Sequence, residues 1–184
     1  MITDAKETFV PPGNPLSLVA AAGVDVPSPI IVDLLGGGVG TLVTNHVGNA
    51  AVPGQADAHG VGGFRPELVV AIGTALATGT AATLNVQLQG APDNGAGSPG
   101  TWQTLGESGA ITAAQGTAGQ VIARLPYLPP FPKNLRPRFL RLNFEIPAAT
   151  LFTTGTIAYA LVTTARDDAF QLQAAKAYTI GPLS

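Results

Sequence analysis

The chain has no cysteine, which excludes a disulfide framework and any zinc site built on thiolates. It is also poor in charge. Lysine, arginine, aspartate and glutamate make up 11% of the 184 residues, where a soluble domain ordinarily has about a quarter. The residues that solvate a free monomer are scarce, and the surface left bare is best explained by burial against other protein, in an oligomer or a lattice. Long apolar runs are missing too. No stretch reaches the roughly 18 consecutive apolar residues of a membrane span. The nearest, Ile30 to Val43, is broken by Asp33 and by glycines, so no membrane partner is expected. A net charge of −2 carries none of the basic footprint of a nucleic-acid binder. The start, Met1-Ile2-Thr3-Asp4-Ala5-Lys6-Glu7, has no basic region followed by an apolar one, so no secretory signal is expected. With the missing cysteines, this suits assembly in a reducing cytoplasm.

Breakers are abundant, with 23 glycines and 16 prolines. Long helices are excluded, and the short runs between breakers, rich in Val, Ile, Leu and Thr, read as strands. Residues 1–16 read as an extended N-terminal arm, because Pro11-Pro12-Gly13-Asn14-Pro15 fits neither a helix nor a central strand. Its apolar residues Ile2, Phe9 and Val10 would gain from docking on a neighbouring subunit or a partner. A β domain is expected over 17–168, followed by a tail at 169–184 in which Gln171 to Ala177 could form a short helical turn. Within the domain, a Gly- and Ala-rich loop insertion spans about 37–63.

Several strands stand out. Ile30–Leu35 precedes a glycine run that lacks the Lys-Ser or Lys-Thr of a phosphate loop. Glu67–Ile72 is largely apolar and expected to be buried on both faces. Thr83–Gln89 alternates strictly, with Leu84, Val86 and Leu88 on one side and Asn85, Gln87 and Gln89 on the other. The turn residues Pro92 to Gly100 lead back through Thr101–Leu105 in a hairpin. Gln120–Leu125 follows, then a proline-rich connector at 126–137. Arg138–Glu145 should point Leu140, Leu142 and Phe144 inward and Arg141, Asn143 and Glu145 outward. In the last strand, Thr156–Thr163, Ala158 and Ala160 are expected to share a face. Short strands at this spacing predict an all-β fold, a two-sheet sandwich or jelly roll with long loops.

Chemistry is hard to find. His46 and His59, with Asp57, could offer metal ligands but read as solvated loop residues. No serine lies in a Gly-x-Ser-x-Gly context, and Glu107 and Glu145 read as solvated strand ends rather than a carboxylate pair. No catalytic residue, cofactor or metal site is expected, and the protein is not expected to be an enzyme. The one positive concentration, Lys133, Arg136, Arg138 and Arg141, lacks the interleaved aromatics of a single-strand binder and reads as interface salt bridges. The hairpin around Asp93-Asn94-Gly95 and Trp102 also fits a carbohydrate-binding sandwich of a virion or tail. Such modules need exposed aromatic platforms, and the single Trp102 reads as a core anchor.

The stretch from Leu84 through Arg166 resembles the jelly-roll cement proteins that decorate tailed-phage capsids. The resemblance runs in order through Leu84–Gln89, Pro92-Asp93-Asn94, Trp102–Leu105, Glu107–Ile111, Arg138–Asn143 and Thr154–Val162, with Met1–Ala5 and Ile30–Leu34 also similar. It covers about two-thirds of the chain, and the order is more specific than any single piece. The loops at 37–63 and 126–137 depart from the pattern. The resemblance implies a homotrimer on the outer capsid surface of the virion, clamping neighbouring major capsid protein subunits against internal DNA pressure.

Overall fold

The computed structural model describes residues 2–34, 66–126, 137–148 and 150–164, with side chains described from Thr8 onward except at Pro66 and Thr164. The insertion at 37–63, His46, Asp57, His59, Lys133, Arg136 and the tail from 169 lie outside the described residues.

The chain folds as an antiparallel β-sandwich. One sheet holds β1 (Ile2–Val10), β12 (Thr156–Thr164), β5 (Pro66–Ile72) and β9 (Val121–Pro126) in that order, with β2 (Leu16–Ser17) also on β12. The other holds β3 (Val26–Pro27), β10 (Phe139–Glu145), β7 (Thr83–Ala91) and β8 (Gln103–Thr112), with β4 (Val32–Asp33) sharing the β3 edge of β10. A small pair, β6 (Ala77–Thr78) and β11 (Phe152–Thr154), lies apart from both sheets. Of the long strands, β1, β5, β9 and β12 lie in the first sheet and β7, β8 and β10 in the second, so the chain crosses between the sheets from β5 to β7 and at each step from β8 onward. Among the described residues the one helical element is a 3-10 turn at Ala113–Gln115.

Alternation dictates the core. Leu84, Val86 and Leu88 of β7 are fully buried and meet Leu140, Leu142 and Phe144 of β10. Leu68, Val70 and Ile72 of β5 face them from the other sheet. Each such side chain contributes roughly 1.5–3 kcal/mol by leaving water. The expected two-sided burial of β5 is observed, since Val69 and Ala71 on its opposite face are buried as well.

Three expectations are corrected. Residues 2–10 are not an arm. They form β1, paired with β12 from Ile2 opposite Thr164 to Val10 opposite Ala160. Phe9 and Val10 are both fully buried in the core of their own domain. Pro11-Pro12 ends this strand without forbidding it, because β1 sits at a sheet edge and needs a ladder on one side only. Irregular register between Thr8 and Val10 lets two successive side chains turn inward, as a bulge does. A similar irregularity opposite Ile157 and Tyr159 changes the phase of β12. Ile157, Ala160 and Val162 therefore reach the core, and Ala158 does not share that face with Ala160. Finally, Trp102 precedes β8 and is half-buried outside the core, rather than anchoring it.

The edges are protected. β8 carries two register shifts against β7 and a left-handed glycine, Gly109, at φ +76°, features that hinder strand addition to an open edge. On the opposite edge, the Ser28 hydroxyl accepts from the Leu142 amide at 3.1 Å and donates to the Ile30 carbonyl at 3.0 Å.

Gly155, just before β12, has φ +147°, and a Cβ there would lie 2.6 Å from Leu76 Cδ2. Gly155→Ala is therefore expected to lower stability by about 1–3 kcal/mol through overpacking. A urea midpoint that does not move would contradict this close approach.

Candidate functional site

The outer face of the β3-β10-β7-β8 sheet collects the polar side chains that alternate with the core. Register sets Gln89 opposite Arg141, Gln87 opposite Asn143 and Asn85 opposite Glu145, and Gln87 opposite Glu107 on the other flank. Cross-strand neighbours on one face lie close enough for their side chains to bond, and here they do. Asn85 Nδ2 donates to Glu107 Oε2 at 3.0 Å and to Glu145 Oε2 at 2.9 Å. Gln87 Nε2 donates to the same Glu145 oxygen at 2.7 Å. Gln87 Oε1 accepts from Gln89 Nε2 at 3.0 Å and from Asn143 Nδ2 at 3.2 Å. Asn143, 4% exposed, also donates to Asp25 Oδ2 at 2.8 Å. Asp25 Oδ1 in turn accepts from the Ile146 amide at 3.3 Å.

Arg141 closes the ladder. Its Nε donates to Gln89 Oε1 at 2.8 Å, and its guanidinium lies over the Trp102 ring, 4.3 Å from the centroid. A flat cation on an indole face is held both electrostatically and by packing. Burial pushes its pKa down, against the opposing field of Asp25.

Arg138 belongs to a different group. Its Nε and Nη2 bond both oxygens of Asp33 at 3.1 and 2.9 Å, and Nη1 bonds Asp93 Oδ2. This ties β4 and the β7–β8 turn to the start of β10. Among the described residues, the acidic partners of Arg138, read from sequence as an interface salt-bridge residue, belong to its own chain. Of the four basic residues read as a cluster, the structure describes two, and it gives them separate partners.

The Asp93 carboxylate also orders its turn, accepting at Oδ1 from the Gly95 amide at 2.8 Å and the Gly97 amide at 3.0 Å. The Gly95 amide, with Arg138 and Gly97 behind it, holds the Asp93 carboxyl below its usual range. A depressed folded-state pKa stabilises the fold above the unfolded value of about 4 and ceases to do so as pH falls through the folded value. Asp93→Asn should therefore melt below the wild type at pH 7, and the gap should close on acidification towards pH 2. A gap independent of pH, in melting curves across that range, would rule this out.

Sequence reading found the amides of β7, and it named Arg141 and Glu145 as outward-facing. It missed Asp25, Asp33 and the burial of Asn143. Asp25 lies 118 residues from Asn143 between two valines, and nothing local marks it. Among the described residues no group of three or more His, Cys, Asp or Glu is placed to hold a metal ion, and no helix is long and apolar enough to cross a membrane.

Fold and face together define an antiparallel β-sandwich that presents a braced, amide-rich sheet. Compared with protein-family models and with curated proteins, the chain matches none.

Proposed function

We propose that this protein is a capsid cement protein, binding as a homotrimer to the outside of a tailed-phage shell and linking neighbouring major capsid subunits. The observation that carries this reading is the gathering of four of the resembling segments into one sheet, while Thr154–Val162 runs into β12 and Met1–Ala5 into β1 of the other. Leu84–Gln89, Trp102–Leu105, Glu107–Ile111 and Arg138–Asn143 are scattered over some 60 residues of sequence, yet they lie on or beside three adjacent strands, β10, β7 and β8. The braced outer face of that sheet is suited to rigid contact with protein. A rigid domain touching several subunits adds modest contacts through effective concentration, and a chain with 11% charged residues suits extensive burial against protein. The protein acts without catalysis and without a cofactor, is made in the host cytoplasm and ends on the virion surface.

A carbohydrate-binding sandwich is the second reading, favoured by the surface position of Trp102 and opposed by the guanidinium of Arg141 covering one of its faces. Copy number in purified particles separates the two. Hundreds of copies per particle, lost together with resistance to heat or osmotic shock when the gene is removed, are expected of cement. A handful of copies at the tail, or none, would sink the proposal.

A further inference from the structure

We infer that the outer face of the β3-β10-β7-β8 sheet is a docking face for a basic protein surface, whose lysine or arginine side chains pair with Glu107 and Glu145. Within the cement reading proposed above, on which this rests, that surface belongs to the shell.

The starting point is where the charges are. Of the charged side chains the structure describes, Arg124 pairs with Glu67, and Arg138 pairs with Asp33 and Asp93. The rest, Asp25, Glu107, Glu145 and Arg141, form no salt bridge, and all four lie on this one face. In a chain so sparing of charge, carboxylates held only by neutral amides and a backbone N–H call for a partner. Glu107 and Glu145 converge on the same nitrogen, Asn85 Nδ2, each through Oε2. Their Oε1 atoms are left for a further donor. The amides fix the carboxylates in place beforehand, so less side-chain freedom is lost on association.

The sign of the face selects its occupant. It carries three carboxylates and one guanidinium. A second copy docked face to face would set those three carboxylates against three more, with only two guanidiniums to compensate, and a nucleic acid would be repelled. A cationic protein surface removes the imbalance. Arg141 then serves as a rim anchor. Nε is engaged and the plane is seated on Trp102, while its Nη groups make no hydrogen bond within the described structure and can take a carbonyl or carboxylate of the partner. Arginine and tryptophan are the residue types that most often dominate interface energetics.

Trp102 is the only tryptophan of the chain, so its fluorescence reports on this face alone. The full-length protein and the double variant Glu107→Gln/Glu145→Gln are titrated against shells lacking the protein, and separately against octalysine and octaglutamate peptides. Glutamine keeps the acceptor oxygens that Asn85 and Gln87 use, so the variant should melt with the wild type. Wild-type protein should bind shells with a steep salt dependence and a change in Trp102 emission. The variant should bind about tenfold more weakly or worse, with a flatter salt dependence. Octalysine should perturb Trp102 in the wild type but not in the variant, and octaglutamate in neither. If the folded variant decorates shells as tightly as the wild type, or shells bind without altering Trp102, the docking face is elsewhere and only the cement reading stands. If the wild type binds no shells, the cement reading fails. The face is then judged by the peptides alone, and a Trp102 signal indifferent to octalysine overturns it.

Discussion

Phe9→Ala is expected to destabilise the protein by about 3–5 kcal/mol, and deletion of residues 1–12 to abolish cooperative unfolding altogether. Phe9 is fully buried in the main core, at the end of the strand that completes one edge of the first sheet. Truncating it removes its transfer free energy and leaves a cavity that neighbours fixed in two sheets fill only in part. Deleting 1–12 adds the loss of Val10, of the ladder to β12 and of the cover over that strand's outer side. Domains of this kind are stable by only about 5–15 kcal/mol, so the combined loss exceeds what the fold can absorb. Chemical denaturation of Phe9→Ala, and circular dichroism of the truncated chain, measure both. A truncated protein that melts like the full chain would mean that residues 2–10 serve a neighbour and not their own sheet.

Asn143→Leu is expected to cost about 2–4 kcal/mol, since one hydrogen bond to a charged group and one to a neutral acceptor are lost from a buried position. Asn143 Nδ2 bridges Asp25 and Gln87. Leucine matches its size but leaves Asp25 Oδ2 and one direction of Gln87 Oε1 without their donor. The loss should spread along the ladder, because Gln87 also positions Glu145 and Gln89. A double-mutant cycle with Asp25→Asn measures the coupling. An interaction energy indistinguishable from zero would mean that the ladder is decoration on a sheet already held by its core.

Regular strands were readable. The strict alternation of Thr83–Gln89 placed three leucine and valine side chains inside and three amides outside, and the structure keeps that division residue by residue. Leu140, Leu142 and Phe144 followed the same logic, as did the largely apolar β5. The failures share a cause. At Thr8–Val10 and at Ile157–Tyr159 the ladder slips, and a slip shifts the period of two on which sequence reading depends. Phe9-Val10 beside two prolines then resembles a detachable arm, and Ala158 and Ala160 resemble a common face.

Composition and periodicity by themselves determined that the chain is an all-β sandwich without disulfides, because breaker spacing and alternating apolar residues are local properties. Only the tertiary structure decided which polar residues meet. Arg138 finds Asp33 and Asp93 at separations of 105 and 45 residues, and Asp25 finds Asn143 across 118. The strand order of the sandwich sets segments from opposite ends of the chain side by side, so charge pairing is fixed by register between distant segments. No local pattern encodes that register. The two arginines of one short segment therefore diverged, one into its own chain's acids and the other onto an indole at the surface.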